Sequence, residues 1–248
     1  FPATKDALEA GKHVFCEKSL VFKPEEVHGL RALVEARPKQ VLQTGLQRRY
    51  SEMYQAARAM IEKGLLGEVT YVQAQWHRNP GWKMKDVPNV DKRMANWRLF
   101  REYSGGLVAE LASHQIDVAD WMMGMTPEAV TGLGSQDFMK DGRDILDNVQ
   151  LIYKYPKGRR LVWTGVPGTS HWAGVGGART EMGEIICGTQ GSIHITIGDD
   201  NNMPIGMWFR EPNPPKVEVA KKEKKEAYKA GSTMVAAAGS RPLPILLG

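Results

Sequence analysis

Cysteine is scarce in this sequence. Cys16 and Cys187 are the only two among 248 residues, they form no CxxC pair, and neither has a histidine at metal-ligand spacing. That excludes a disulfide framework and a thiolate metal centre, and leaves both residues as small apolar fillers suited to burial. Long apolar runs are also missing: nothing approaches the ~18 consecutive residues that a membrane-spanning helix requires. The opening residues FPATKDALEA carry no basic-then-apolar leader pattern. A chain that opens on phenylalanine leaves any leader upstream, so the compartment stays open. There is no internal repeat.

The excess of one charge sign is small, 33 Lys+Arg against 28 Asp+Glu. Residues 216–229 (KVEVAKKEKKEAYK) hold six lysines and three glutamates, so three of the five net charges belong to one mixed run. Such a run reads as a solvated face or tether. No aromatic–basic interleaving accompanies it, which argues against a nucleic-acid partner.

What is present is a change of rhythm. Residues 4–10 have helix-forming composition and stop at Gly11, and His13–Glu17 (HVFCE) reads as a short buried strand. Lys23-Pro24-Glu25-Glu26 opens a helix, with proline in its first turn and acids near the positive end of the helix dipole. That helix runs to about Arg37, and Gln40–Thr44 is the next strand. Strand, helix and strand within about 30 residues predict a βαβ crossover with parallel strands. A helix over Ser51–Lys63 follows.

From Gly67 the apolar period becomes two, at Val69–Trp76, Asn148–Tyr155, Arg160–Val166 and the hairpin Glu184–Ile197. Tight turns between such strands predict a mostly antiparallel sheet. The expected fold class is therefore α/β plus α+β. A partial parallel sheet occupies residues 1–63, and an open-faced sheet domain with an irregular Lys/Pro-rich tail occupies 64–248. The chain beyond Asp199 reads as irregular, with at most one late helix.

One long helix interrupts the strands, from about Gly106 to Met123. Leu107, Leu111, Val118 and Met122 form its apolar stripe, and His114 falls on that stripe. Glu110 lies four residues before His114 and Asp117 three after. A carboxylate one turn from a buried imidazole can orient it as a general base. The same pattern also suits a core histidine satisfied by its helix neighbour. Lys18 stands at the carboxyl end of the first strand, where open α/β sheets bind their ligands. Partial burial there would lower its pKa toward a useful range, whereas a plain loop lysine would stay in water.

These segments together resemble the Gfo/Idh/MocA oxidoreductases. Glu17-Lys18-Ser19-Leu20 after GKHVFC is similar to that family's Glu-Lys-Pro strand end. Gly105-Gly106 followed by Glu110, His114 and Asp117 is similar to its GG-x3-D-x3-H-x2-D helix. The spacing from Gly45 through Arg49 and Gly64 to Gly67-Glu68-Val69 agrees, and the resemblance covers about residues 1–200. Three departures stand out. Ser19 replaces the proline, Glu110 replaces the aspartate, and no GxGxxG fingerprint is present. The resemblance thus implies that the chain begins inside a dinucleotide-binding Rossmann domain, and that GSRPLPILLG stops where the family would continue.

It also implies hydride transfer between NAD or NADP and a sugar or cyclitol hydroxyl. Lys18, His114 and Glu110 would be catalytic; Glu17, Lys18 and Gln47 would face the cofactor. Arg48, His77, Arg78, Trp97, Asp117 and His171 would contact a sugar or polyol, and no metal is expected. Two other readings fit the same residues. Relatives of this kind use transient oxidation to eliminate or cleave a glycosidic link, although the hydrolytic signature GGHGG is absent. A non-catalytic sugar-binding paralogue would also lack the fingerprint. The open sheet face is expected to pair with a second copy, with Trp163 on that face.

Overall fold

The structure, a computed structural model, describes residues 1–77, 82–85, 88–168, 179–198, 204–215 and 243–244. Its front has the strand–helix–strand order that the sequence suggests, but the first strand is not buried: Val14 and Cys16 are half-buried and Phe15 is 67% exposed. Helix α1 (Pro2–Glu9) has proline in its first turn and buries Thr4 and Leu8. Strand β1 (Val14–Cys16) leads into α2 (Pro24–Glu35), whose Glu26 carboxylate reaches back to accept the amides of Phe22 at 2.8 Å and Lys23 at 3.1 Å. That closes two otherwise unpaired donors at the helix start. Strand β2 (Leu42–Thr44) then pairs parallel with β1, Val14 opposite Leu42 and Cys16 opposite Thr44. The Gln40 side-chain amide ties this pair to α1 by donating to the carbonyls of Leu8 and Lys12. Cys16 and Cys187 are free thiols, half-buried rather than buried.

A 3-10 turn (Gln47–Tyr50) and helix α3 (Glu52–Glu62) lead to the large sheet. Its strands are β3 (Val69–Trp76), β4 (Ala129–Ser135), β5 (Asn148–Lys154), β6 (Arg160–Gly165), β7 (Arg179–Gly188), β8 (Gly191–Gly198), β9 (Ile205–Arg210) and β10 (Leu243–Pro244). The order across the sheet is β10-β9-β8-β7-β3-β6-β5-β4. Pairing is antiparallel except between β3 and β6. Short helix α4 (Lys92–Ala95) is capped by Asp91, which accepts the amides of Arg93 and Met94.

Alternation sorts the two faces. Val72, Ala74, Leu161, Trp163, Ile186, Ile193 and Ile195 point one way and are almost wholly excluded from water. They pack on Val118, Ala119 and Met122 of helix α5 (Ser113–Met123) and on Ala57 of α3. Each large side chain so buried contributes about 1.5–3 kcal/mol relative to exposure. The opposite face is partly open: Ile152 on it is 45% exposed and Leu133 79%, while Gln75, Thr196 and Met207 are buried. The fold is a small Rossmann-type parallel sheet followed by an open-faced, mostly antiparallel one.

Two expectations require correction. The chain after Asp199 is not irregular throughout, because Ile205–Arg210 forms β9 and pairs residue for residue with β8. Trp163 does not lie on the open face. It is fully buried against α5, where its indole donates to Gln115 Oε1 at 2.6 Å. The Lys-rich run 216–229 lies outside the described residues.

Candidate active site

Lys18 follows β1 at its carboxyl end and crosses to the helix of the second sheet. Its ammonium donates to the main-chain carbonyl of Glu110 at 2.8 Å, to that of Ala109 at 3.4 Å, and to Glu110 Oε2 at 3.3 Å. Ser19 Oγ adds a bond to the Ala109 carbonyl at 3.2 Å. The helix is wound wide there: residues Val108–Ala112 form a π-turn ahead of α5. A π-turn bonds five residues ahead rather than four, and such turns concentrate at functional sites. The glycine pair at its entrance serves this chain's own packing. Gly106 takes φ 65°, and a Cβ on Gly105 would press on that of Ala109 at 2.5 Å.

The wide turn also changes what Glu110 does. Sequence spacing puts it one α-turn from His114, but the π-turn rotates it away. Its carboxylate instead meets Lys18 and, at 3.5 Å, Arg98. The orienting bond expected from Glu110 to His114 is not made.

His114 is buried, and its Nδ1 has no hydrogen-bond partner. Its ring lies 5.9 Å from that of Trp76, tilted by 34°. Burial first, then the positive charges of Arg48 and Lys18, push its pKa down to about 4, with Asp117 opposing them. The imidazole is therefore neutral across the physiological range and able to accept a proton. The Asp117 carboxylate is gripped by Arg49, Nη2 to Oδ1 at 2.8 Å and Nε to Oδ2 at 2.9 Å.

Arg48 is the centre of a second cluster. Its guanidinium pairs with Glu184 Oε1 on β7, and Tyr54 of α3 donates its hydroxyl to Glu184 Oε2 at 2.6 Å. It also lies 5.5 Å from the Tyr54 ring centre and 5.4 Å from that of Trp76. Glu184 and Tyr54 escape a motif search, yet the strand held a signal. In GEIIC, Glu184 sits in phase with buried Ile186, so a charge occupies an inward position and needs a partner.

Other expected residues are spread around these clusters. Glu17 and Gln47 are exposed at the carboxyl ends of β1 and beyond β2. Trp97 lies under Arg98, 4.2 Å from guanidinium carbon to ring centre, and so flanks Glu110. The neighbouring Asn96 amide is taken up locally, by the Met84 amide and the Lys92 carbonyl. His77 is buried at the end of β3, and its Nδ1 accepts the Val166 amide at 3.2 Å. Arg78 and His171 lie outside the described residues. Among those described, no group of three or more His, Cys, Asp or Glu side chains is placed to hold a metal ion, and no helix is long and apolar enough to cross a membrane.

Solved structures share this architecture. An aldose-aldose oxidoreductase from Caulobacter crescentus, complexed with glycerol, superposes with a TM-score of 0.66 at 21% identity, covering 90% of this chain and 61% of that one. An inositol dehydrogenase homolog from Azotobacter vinelandii, complexed with NADH and myo-inositol, gives 0.64 at 23%, covering 86% and 51%. Curated relatives include an uncharacterized oxidoreductase of Synechocystis, 29% identical over 151 residues, which are 61% of this chain and 38% of the relative. An inositol 2-dehydrogenase of Gluconacetobacter diazotrophicus is 30% identical over 118 residues, 48% and 30% of the two chains. The chain thus spans less than half the length of these curated relatives. The family model for the GFO/IDH/MocA C-terminal domain matches residues 54–194, more than half of the sequence. The chain belongs to the GFO/IDH/MocA family.

Proposed function

We propose that this chain carries the proton-transfer and substrate-holding groups of an NAD- or NADP-dependent oxidoreductase acting on a sugar or cyclitol hydroxyl. The observation that supports this most is the meeting of Lys18 with the Glu110 segment, 92 residues away, next to a neutral buried histidine. A cation and a proton acceptor beside the ligand-binding end of a parallel sheet suit oxidation of a carbinol carbon.

The described residues fit only the nicotinamide end of such a cofactor. Strand carboxyl ends and the exposed polar groups of Glu17 and Gln47 suit a polar ring. No glycine-rich turn that follows a strand and opens a helix is present among them to seat a pyrophosphate. When bound, the nicotinamide supplies the hydride acceptor. His114 takes the hydroxyl proton. Lys18, fixed on two main-chain carbonyls, stabilises negative charge as it develops on the substrate oxygen. Trp97 and Arg98 line the side facing Glu110, and Trp76 backs the imidazole. Substrate contacts from Arg78 and His171 belong to the same proposal.

The test is reduction of NAD and NADP by a panel of polyols and aldoses, with the intact protein and its H114N and K18M variants. H114N should lower kcat by about 10²–10⁴-fold with a smaller change in KM. Reduction by no member of the panel, or an H114N variant as fast as the parent, would overturn the proposal.

A further inference from the structure

A buried ion pair is seldom the most stable use of two core positions. Well-packed apolar side chains of similar volume are often as good or better. Arg48 and Glu184 form such a pair at the joint between the two sheets, with Glu184 only 1% exposed. The carboxylate spends one oxygen on Arg48 and the other on Tyr54. The guanidinium is thereby held beside the faces of Tyr54 and Trp76, and Trp76 in turn abuts His114. Arginine suits this place because its charge does not titrate away and its flat group stacks on rings.

We propose that Arg48 is a positioning residue for the reaction: clamped by Glu184 and stacked on Tyr54 and on the Trp76 ring that abuts His114, it fixes a positive charge near the imidazole that adds to burial in keeping it in its proton-accepting form. The role rests on reading His114 as the proton acceptor. It differs from the expectation that Arg48 is a substrate contact: its Nη1 pairs with Glu184 Oε1. The charges that bear on His114 come from every side. Arg48 arrives from the turn after β2, Lys18 from the end of β1, and Asp117 from α5 itself. Of the other carboxylates, Asp117 is gripped by Arg49, Glu110 by Lys18 and Arg98, and Glu184 by Arg48. Arg48 stands ahead of Lys18 among the charges that push the imidazole toward neutrality.

The experiment follows the His114 ring by NMR titration in the intact protein, its signal assigned by loss in H114N. R48Q/E184Q removes both charges without stranding a buried carboxylate. R48M/E184M does the same with apolar groups, so one variant reports if the other fails to fold. In either, the His114 midpoint should rise by at least about half a pH unit, and the acid limb of kcat/KM should move up with it. R48K keeps the charge and should leave the midpoint low. An unchanged midpoint in the neutral pairs, or an R48K that shifts as they do, would overturn the assignment. The titration needs no turnover, so the two ideas fail separately. A shifted midpoint in a protein that oxidises no polyol sinks the oxidoreductase reading alone. Activity that depends on His114, with an unmoved midpoint, sinks the role of Arg48 alone.

Discussion

At the scale of single residues, His114 links the site to stability. Its folded pKa of about 4 lies below the ordinary 6.5, so the unfolded chain binds a proton more readily than the folded one. Stability therefore rises with pH between these values and is lost as pH falls through them, by up to about 3 kcal/mol. H114N should flatten that slope. Urea titrations at several pH values would show it, and parallel slopes for variant and parent would mean that the imidazole is not held neutral. Gln115, the next residue, has a different task. Its amide donates to the carbonyls of Gln75 at 2.8 Å and Gly183 at 3.0 Å, and its oxygen accepts from Trp163. One side chain thus fastens α5 to three strands. Q115L would leave the buried Trp163 indole without its acceptor and take a donor from two strand carbonyls, and should cost about 2 kcal/mol or more. A loss below about 1 kcal/mol in urea denaturation would show that the strands reseal without it. The residue scale is also where the sequence is least explicit. Lys18, at a strand end, and His114, on a helix's apolar stripe, stood out from strand position and spacing as candidates. The Glu184 partner of Arg48 did not, because it lies 136 residues away on another element.

Among elements, long periodic ones were the easiest to read. The helix from Gly106 to Met123 is there, yet the π-turn inside it left no mark in the apolar stripe, which one wide turn disturbs little. Strand β4 (AVTGLGS) was missed because its glycines resemble a loop. A Cβ at Gly132 would strike the Gln150 carbonyl, so close backbone approach is what selects glycine there. Strand β9 was missed for its setting, among asparagines and prolines. The π-turn carries its own prediction. K18M removes the cation from the carbonyls of Ala109 and Glu110, a charge-assisted contact worth about 1.5 kcal/mol. Hydrogen exchange at residues 109–114 should then be about tenfold faster, while residues 118–123 keep their protection. Equal acceleration along the whole helix would show that Lys18 supports the element generally rather than the turn.

For the whole molecule, the open sheet face is the feature that asks for a partner. Thr131, Ile152, Val162, Gln73, Ile185, His194 and Met207 form one row across it, each paired in register with the next. Ile152 is 45% exposed, and Leu133, on the same face, 79%. Apolar area of this kind on one side of a sheet suits burial against a second copy in a twofold pair. The intact protein should sediment as a dimer or larger, and L133D/I152D should lower its mass. A parent that is monomeric at tens of micromolar would rule out that use of the face.

The charge pairs that join the two sheets also imply an order of assembly. β1 and β2 meet across fewer than thirty residues, and the hairpins of the large sheet close over short turns. Lys18–Glu110, Arg49–Asp117 and Arg48–Glu184 instead span 92, 68 and 136 residues. Closing such long loops costs entropy that few contacts repay until the surrounding strands are in place. These paired charges should therefore be among the last groups to come together as the chain folds and among the first to part in denaturant, while the large sheet still stands.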